Sequence, residues 1–333
     1  MRWAQEPNRR LMPFAWGLEH IGGDANDTDP RGFLESFVET TLAQSDEWYA
    51  ATPSTDYSLE DNVLTFTSAI ASPWAENNRV YAQYFPVRRK GPAVVVLAQW
   101  NARWEEQQNI CRWLNSRGLT AIKMSLPYHD RRSIPGHPRA DHMVGPNIGL
   151  TMQANRQAVL DVKRTLRWLE QQGYSSLGIL GTSIGSSIAF ITMCHEPALR
   201  AGAFLHVATY FGEVVVNGLT TMNVWESMSG QLSHEEATRY WSPISPLPYI
   251  PKLRAGKKIL AISGRYDPTF WPEFTDSFLA TMRRNNVPFE TLSLPCGHYS
   301  LGVAPFKYVV GYRFGTFLAR SLAGVDGTRV GHF

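Results

Sequence analysis

The sequence predicts a doubly wound α/β fold, in which helices cover both faces of a mostly parallel β-sheet. From about residue 60 onward, short apolar segments alternate with segments of helical periodicity. Residues 92–100, PAVVVLAQW, form a continuous apolar run rich in β-branched residues, which is typical of a strand buried on both faces. Because right-handed crossovers place a helix between successive parallel strands, this alternation favours a sheet enclosed by helices.

The remaining strands are predicted from composition and alternation. Residues 62–70 and 78–87 alternate apolar and polar side chains, which favours antiparallel pairing near one edge of the sheet. The further predicted strands are 119–126, 176–182, 200–209, 257–264 and 289–295.

Helices are predicted between these strands from a periodicity of about 3.6 residues. In the segment 149–172, apolar residues recur on one face of the predicted helix, at Val159, Val162, Leu166 and Leu169. The other predicted helices are 103–118, 184–195, 271–285 and 304–322.

Two segments interrupt this alternation. Residues 1–58 are helical or irregular in pattern and are predicted to form an N-terminal extension of a domain that spans 59–333. Residues 210–256 lie between two predicted strands, and the four prolines of WSPISPLPYIPKL exclude a continuous helix there. This insertion is rich in aromatic residues and methionine, so we interpret it as a cap or lid.

Composition narrows the class of protein. A formal net charge of +3 over 333 residues, without a long block of like charge, argues against a nucleic-acid partner. Cys111, Cys194 and Cys296 are far apart in the sequence and show no zinc-ligand spacing, so neither a disulfide framework nor a metal site is predicted. Without a secretory signal pattern or an apolar run of about 20 residues, the sequence predicts a cytoplasmic protein with no membrane partner.

The segment GTSIGSS, residues 181–187, carries the strongest functional signal. Gly181, Ser183 and Gly185 form a G-x-S-x-G pattern between an apolar strand and a buried helix. At such a junction a strained turn lifts a serine hydroxyl above the sheet, and a Cβ at either glycine would crowd the neighbouring strand or helix. We therefore predict that Ser183 is a nucleophile. The alternative is a turn of small residues that only packs against the sheet.

A serine nucleophile needs a base and an acid that orients the base, and functional groups in α/β sheets collect at the carboxyl ends of strands. Asp267 follows the strand 257–264 within SGRYDP, and His298 follows the strand 289–295 within CGHYS. Both residues therefore lie where a base and an acid could reach Ser183.

The motifs GTSIGS, SGRYDP and CGHYS, in this chain order, resemble those of the α/β-hydrolase superfamily over about residues 60–322. The resemblance leans toward esterase and peptidase-like members with an extra N-terminal segment, such as acetyl xylan esterases and dienelactone hydrolases. It implies a sheet of the α/β-hydrolase type, a triad of Ser183, His298 and Asp267, and no cofactor.

Each assignment has alternatives. Glu213 follows the strand 200–209 and could supply the acid instead of the favoured Asp267, whereas Asp276 is predicted to lie on a helix surface. The other histidines fit the base less well, because they are predicted within a strand, at a helix end, in the insertion or in terminal segments. They are His206, His195, His234, His20 and His332.

The resemblance also implies an oxyanion hole made of main-chain N–H groups, those of Ile184 and of Trp100 in the loop after residues 92–100. Members of the superfamily often have His-Gly in that loop, where this chain has LAQWNAR. A main-chain donor tolerates the change, but the bulk of Trp100 would reshape the pocket. Gln99, next to it, is a candidate substrate contact.

Four further candidate substrate contacts come from two segments. The loop 127–142 leaves the carboxyl end of a strand, so its Arg131 and Arg132 could bind an anionic substrate. A structural Asp–Arg network is the favoured alternative, and the loop has no recognised metal-ligand spacing. Trp225 and Trp241 are the candidates within the insertion.

The sequence thus predicts a serine hydrolase that cleaves an acyl bond of a small molecule, most simply a partly apolar carboxylic ester. Peptidase, thioesterase and lactonase activities would use the same residues. A non-catalytic protein that binds a ligand or partner on the same fold is the alternative from another class. A nucleotide-binding protein is disfavoured, because AQWNARW contains no glycine-rich phosphate loop. The aromatic residues of 210–256 could also form a homodimer contact.

Overall fold

A nine-stranded sheet organises the part of the chain that the computed structural model describes, residues 9–137 and 139–323. The order of the strands is β1-β2-β3-β5-β4-β6-β7-β8-β9. The strands are β1 (Ser58–Glu60), β2 (Val63–Thr67), β3 (Arg79–Phe85), β4 (Ala93–Leu97), β5 (Thr120–Met124), β6 (Leu177–Thr182), β7 (Leu199–Leu205), β8 (Lys258–Gly264) and β9 (Glu290–Leu294). The predicted α/β fold with a mostly parallel sheet is confirmed.

The connections of the sheet create a crevice at one point of its carboxyl edge. β1, β2 and β3 pair antiparallel at one side of the sheet, as the alternating residues of β2 and β3 predict, and β3 joins β5 antiparallel. All the remaining pairs, from β5 and β4 through to β9, are parallel. Because β4 lies between β5 and β6, the chain leaves β4 toward one side and later returns to the other. α/β proteins bind ligands at such a reversal, here at the carboxyl ends of β4 and β6.

Helices cover both faces of this sheet. Successive residues of a strand point to opposite faces. Val94 belongs to one apolar cluster with the helices 108–115 and 306–322, whereas Val95 belongs to another with the helices 148–171 and 184–195. The helices are α1 (Pro30–Ala43), α2 (Ser45–Trp48), α3 (Gln108–Asn115), α4 (Ile148–Gln171), α5 (Ile184–His195), α6 (Phe211–Asn217), α7 (Met222–Met228), α8 (His234–Tyr240), α9 (Pro272–Arg284) and α10 (Phe306–Leu322). The doubly wound arrangement is therefore also confirmed.

Two element boundaries differ from the predicted ones in ways that matter for the site. β7 ends at Leu205 instead of 209, because the backbone turns into the left-handed region at His206, where φ is 61°. The helix predicted from residue 103 begins only at Gln108, after Gln107 with a φ of 60°. His206 was predicted to lie within a strand, which is wrong, since it lies in a loop at the carboxyl edge of the sheet.

The N-terminal segment and the insertion 210–256 pack on the sheet and on each other. Leu34 of α1 is fully buried in the apolar core that also contains residues of α4 and α5. Arg31 of α1 forms an ion pair with Glu236 of α8, with 2.7 Å between Nε and Oε1. The insertion lies between β7 and β8 and consists of α6, α7, α8 and short 3-10 helices. The division of the chain at residue 58 stays a prediction.

Three further predictions concern membranes, thiols and a terminal histidine. Within residues 9–137 and 139–323, no helix combines the length and apolar content needed to cross a bilayer. Cys111, Cys194 and Cys296 are free thiols, and all three are buried. His332 lies outside the described residues.

Candidate active site

Ser183 lies in a sharp turn between β6 and α5 and adopts a strained backbone conformation. Its φ is 56° and its ψ is −123°, a combination that residues with a side chain rarely adopt. The main-chain N–H of Ser183 donates a hydrogen bond of 2.8 Å to the carbonyl of Leu205, which ties the turn to β7. Such strain persists only where the surrounding structure enforces it, and it is most common at functional sites.

The two glycines of the motif permit this turn. A Cβ on Gly181 would lie 2.2 Å from the carbonyl oxygen of Gly185, and a Cβ on Gly185 would lie 2.5 Å from that of Ala98. Both contacts are with backbone, which cannot move aside as a flexible side chain could. The predicted need for glycine at both positions is confirmed.

Two cavities meet at Ser183 and His298. The smaller one, of ≈ 300 Å³, lies beneath the insertion, and Trp100, Ile184 and Phe211 are among its lining residues. The larger one, of ≈ 740 Å³, lies beside α3 and α10 and is lined in part by Ile110, Leu301 and Phe314. A substrate could therefore extend from Ser183 in two directions, in both cases along apolar walls.

Asp267 and His298 are hydrogen-bonded to each other at this edge of the sheet. Nδ1 of His298 lies 2.8 Å from Oδ2 of Asp267. The other carboxylate oxygen, Oδ1, accepts hydrogen bonds from the main-chain N–H groups of Thr269, at 2.8 Å, and Phe270, at 2.9 Å. Asp267 is 4% exposed, so the main chain holds this carboxylate in a buried position.

A second histidine, His206, contacts the same carboxylate oxygen. Its Nδ1 lies 2.7 Å from Oδ2 of Asp267, and its ring centroid lies 4.2 Å from that of His298. The ring N–H does not point along the line to the oxygen, so the contact is chiefly electrostatic. Sequence reasoning missed His206 because it placed the end of β7 four residues too late. The rule that functional groups follow strand ends would otherwise have found it.

These contacts set the charge of the pair. Burial alone would raise the pKa of Asp267, but its contacts with His206 and His298 outweigh burial and hold the pKa of this carboxyl well below its ordinary value. Burial and the neighbouring His206 lower the pKa of His298, while Asp267 acts in the opposite direction. We therefore expect an ionised carboxylate beside a neutral imidazole at neutral pH.

His206, Asp267 and His298 also offer ligand atoms within 4.8 Å of one another, which is close enough for three ligands of one metal ion. The two Nδ1 atoms, however, lie 2.7 and 2.8 Å from a single carboxylate oxygen, which is hydrogen-bond spacing. Two ligands of a tetrahedral zinc, each about 2.0–2.2 Å from the ion, would lie roughly 3.3 Å apart or more. The spacing therefore fits direct contacts among the three side chains better than a zinc site.

The loop after β4 brings Gln99 and Trp100 to the site. Both residues line the smaller cavity together with Ser183 and Ile184. The indole N–H of Trp100 donates to the carbonyl of Ala140 at 3.0 Å, which fixes the bulky ring against the loop 127–142. The side-chain amide of Gln99 donates to Glu106 at 2.7 Å. The roles of the N–H groups of Ile184 and Trp100 as oxyanion donors stay predictions.

Comparison with known proteins gives matches at the level of structure. No family model matches this chain, and no curated protein matches its sequence. Acetyl xylan esterase 1 from Thermoanaerobacterium sp. JW/SL YS485 superimposes with a TM-score of 0.64 at 13% identity, over 89% of this chain and 99% of that one. An acylaminoacyl peptidase from Pyrococcus horikoshii gives 0.63 at 12% identity, over 85% of this chain and 44% of that one. The chain has the α/β-hydrolase fold.

A Pyrococcus furiosus esterase gives a TM-score of 0.57 at 16% identity, over 80% of this chain and 92% of the esterase. This chain therefore spans less than half of the acylaminoacyl peptidase, but nearly the whole of the two esterases. At these identities the likeness establishes the α/β-hydrolase fold, and the resemblance stated from the motifs is confirmed at that level.

The two arginines predicted as substrate contacts lie elsewhere in this α/β-hydrolase fold. Arg132 is fully buried and pairs with Asp161 of α4, with 2.9 Å between Nη2 and Oδ2. Arg131 is exposed and stacks over the ring of Trp104 at 4.3 Å. Neither lines the two cavities at Ser183. The prediction of Arg132 as a substrate contact is wrong, because the side chain is enclosed in the core, whereas that of Arg131 stays a prediction. The alternative of a structural Asp–Arg network describes Arg132 correctly.

The two tryptophans predicted in the insertion also lie away from the cavities. Trp241 is fully buried, packs on Phe211 and donates its indole N–H to the carbonyl of Ile148 at 3.3 Å. Trp225 packs on the ring of His234, with 4.8 Å between centroids. The prediction of Trp241 as a substrate contact is wrong, because its ring is fully buried, whereas Trp225 is partly buried and its role stays a prediction. The insertion instead lines the smaller cavity with Tyr210, Phe211, Val214, Val215, Thr220 and Thr221.

The alternatives for the acid and the base have other partners. Glu213 caps α6 by accepting hydrogen bonds from the Thr209 hydroxyl and the main-chain N–H of Tyr210. Asp276 is exposed on α9, as predicted. His195 contacts the carbonyl of Ile191 at 2.9 Å, away from the two cavities.

Proposed function

We propose that this protein is a serine hydrolase that cleaves an acyl bond, most simply that of a carboxylic ester, with Ser183 as the nucleophile. The observation that carries the proposal is the 2.8 Å contact between His298 and Asp267, next to a serine held in a strained turn that lines the same cavities as His298. A base held by a buried acid, on the same cavities as a serine hydroxyl, is the arrangement that acyl transfer requires.

The proposed reaction begins when Oγ of Ser183 bonds to the acyl carbon while Nε2 of His298 accepts the hydroxyl proton. The carbonyl electrons move onto oxygen, and the main-chain N–H groups of Ile184 and Trp100 donate hydrogen bonds to this oxyanion. The tetrahedral intermediate collapses, and the leaving group departs with the proton from His298. Water then adds to the acyl-enzyme by the same route and regenerates Ser183, while Asp267 keeps His298 in one tautomer.

The apolar lining of the smaller cavity supports an ester substrate that carries an apolar group. Phe211, Val214 and Val215 form an apolar wall of the smaller cavity. Solved structures with this fold include two esterases and an acylaminoacyl peptidase, so peptidase, thioesterase and lactonase activities remain the alternatives. The mechanism requires no cofactor, and the three free thiols suit a reducing compartment such as the cytoplasm.

Labelling with a fluorophosphonate tests the proposal. We expect an adduct on Ser183, identified by mass spectrometry of the modified peptide, that is absent from Ser183→Ala and strongly reduced in His298→Ala. His195→Asn is the matched control, because His195 is a buried histidine whose contacts lie outside the two cavities. Failure of both the fluorophosphonate and small activated esters to react with the folded protein would instead favour a non-catalytic ligand-binding protein.

A further inference from the structure

His206 has a left-handed backbone conformation just after β7. Its φ of 61° is uncommon for a residue with a side chain, although His adopts it more often than most residues do. The backbone is held there from two sides: the N–H of His206 donates to Ile262 of β8 at 2.8 Å, and its carbonyl accepts a hydrogen bond of 2.6 Å from the Ser186 hydroxyl of α5. These bonds direct the imidazole toward Asp267.

We propose that His206 is a positioning residue that acts on His298 through the Asp267 oxygen that both histidines share. This inference rests on the proposed function, in which His298 is the base. In this role His206 influences the reaction without contacting the reacting atoms.

One carboxylate oxygen of Asp267 faces two imidazole rings. Oδ1 of Asp267 is already engaged by two main-chain N–H groups, so the two histidines compete for Oδ2. A carboxylate that faces two imidazoles stabilises positive charge on either one less than it would on a single partner. His206 therefore disfavours the protonated form of His298 in the free enzyme and keeps more of the base available as the pH falls.

Other titratable groups surround this pair on neighbouring elements. Cys296 lies two residues before His298, and burial and the charge of Asp267 raise the pKa of its thiol. Tyr299 follows His298, and Glu106 and Lys307 line the larger cavity. Glu106 is engaged by the side chain of Gln99, whereas Asp267 is in direct contact with both histidines. The coupling between the two rings should therefore pass mainly through Asp267.

Two substitutions at His206 test its contact with Asp267. His206→Asn retains an amide N–H near the position of Nδ1 and, like His206→Gly, tolerates a left-handed backbone. For His206→Gly, which removes both the ring and its N–H, we expect the acid limb of the pH profile of kcat/KM to move to higher pH, by roughly half a unit or more. His206→Asn keeps an N–H donor and should move the limb less. A merely structural role would lower the rate without moving the limb.

A direct titration of His298 by nitrogen-15 NMR provides the second readout. We expect the pKa of His298 to rise in His206→Gly and to be unchanged in His195→Asn, the matched buried histidine outside the cavities. An unshifted titration and an unshifted acid limb in folded His206→Gly would overturn the inference. If wild-type Ser183 fails to label, the proposed function fails, but the NMR titration still decides whether His206 and His298 are coupled.

Discussion

At the scale of single residues, the candidate site depends on one buried carboxylate. Asp267 is contacted on one oxygen by the main chain at Thr269 and Phe270, and on the other by His206 and His298. The main-chain bonds fix the direction in which the second oxygen points. The orientation of His298 is therefore set by the backbone of the loop after β8.

Replacing Asp267 with Asn should remove most of the activity without unfolding the protein. The amide would preserve the shape of the side chain but would no longer stabilise a protonated His298, so we expect kcat to fall by a factor on the order of 10³–10⁴. Steady-state kinetics on an activated aryl ester would measure the loss. The control is Asp276→Asn, which changes an exposed carboxylate on α9 and should leave kcat unaltered. A greater loss in Glu213→Gln than in Asp267→Asn would show that the acid has been misassigned.

The residues of this site differ in how far the sequence could predict them. Ser183, Asp267 and His298 lie next to segments whose strand character is clear from composition, so their place at the carboxyl edge follows directly. His206 was missed, because apolar residues continue past the point where the backbone turns. Arg132 was misjudged because sequence does not reveal that Asp161, on another element, neutralises it in the core.

At the scale of elements, α6 supplies the apolar part of the insertion's contribution to the site. The break in strand–helix alternation locates the insertion, but aromatic composition does not distinguish rings that line a cavity from rings that fill a core. In the structure, Trp241 and Tyr240 are fully buried, whereas Val214 of α6 lines the smaller cavity. A homodimer contact through the insertion stays a prediction. The rings of Trp241 and Tyr240 would not take part in it, because they are buried inside the protein.

Enlarging the side chain at Val214 should change selectivity for the acyl or leaving group. Trp in place of Val would fill much of a cavity of ≈ 300 Å³, so we expect kcat/KM for esters with a bulky group on that side to fall at least about tenfold. Acetate esters of a small alcohol should be much less affected. The measurement compares kcat/KM across a series of p-nitrophenyl and alkyl esters. Met222→Trp, on an exposed position of α7, is the control, and equal losses for all esters in Val214→Trp would contradict the assignment.

At the scale of the whole molecule, the N-terminal segment shares its core with the sheet domain. Leu34 and Tyr49 are fully buried among residues of α4, α5 and the insertion. The contact between α1 and α8 also includes the Arg31–Glu236 pair and an ion pair between Arg239 and Glu35. Composition alone predicts an extension beside a domain, because it does not reveal that α1 packs against residues distant in the sequence.

Truncation of Leu34 should therefore lower the stability of the whole molecule. Leu34→Ala removes a fully buried side chain, and we expect the free energy of unfolding to fall by about 2–5 kcal/mol in a single transition. Urea unfolding followed by tryptophan fluorescence and by far-UV circular dichroism measures this change. Leu11→Ala is the control, because Leu11 is 59% exposed. A main transition with an unchanged midpoint would show instead that the N-terminal segment unfolds independently.

The contact between α1 and α8 has a consequence for the newly made chain. Arg31 and Glu236 are 205 positions apart, and a ribosome adds about 5–20 residues per second, so roughly 10–40 s separate the synthesis of these two residues. During that interval α1 lacks its contact with α8 of the insertion. We therefore expect α1 to be among the last elements to reach its final place, with its apolar residues accessible to chaperones until then.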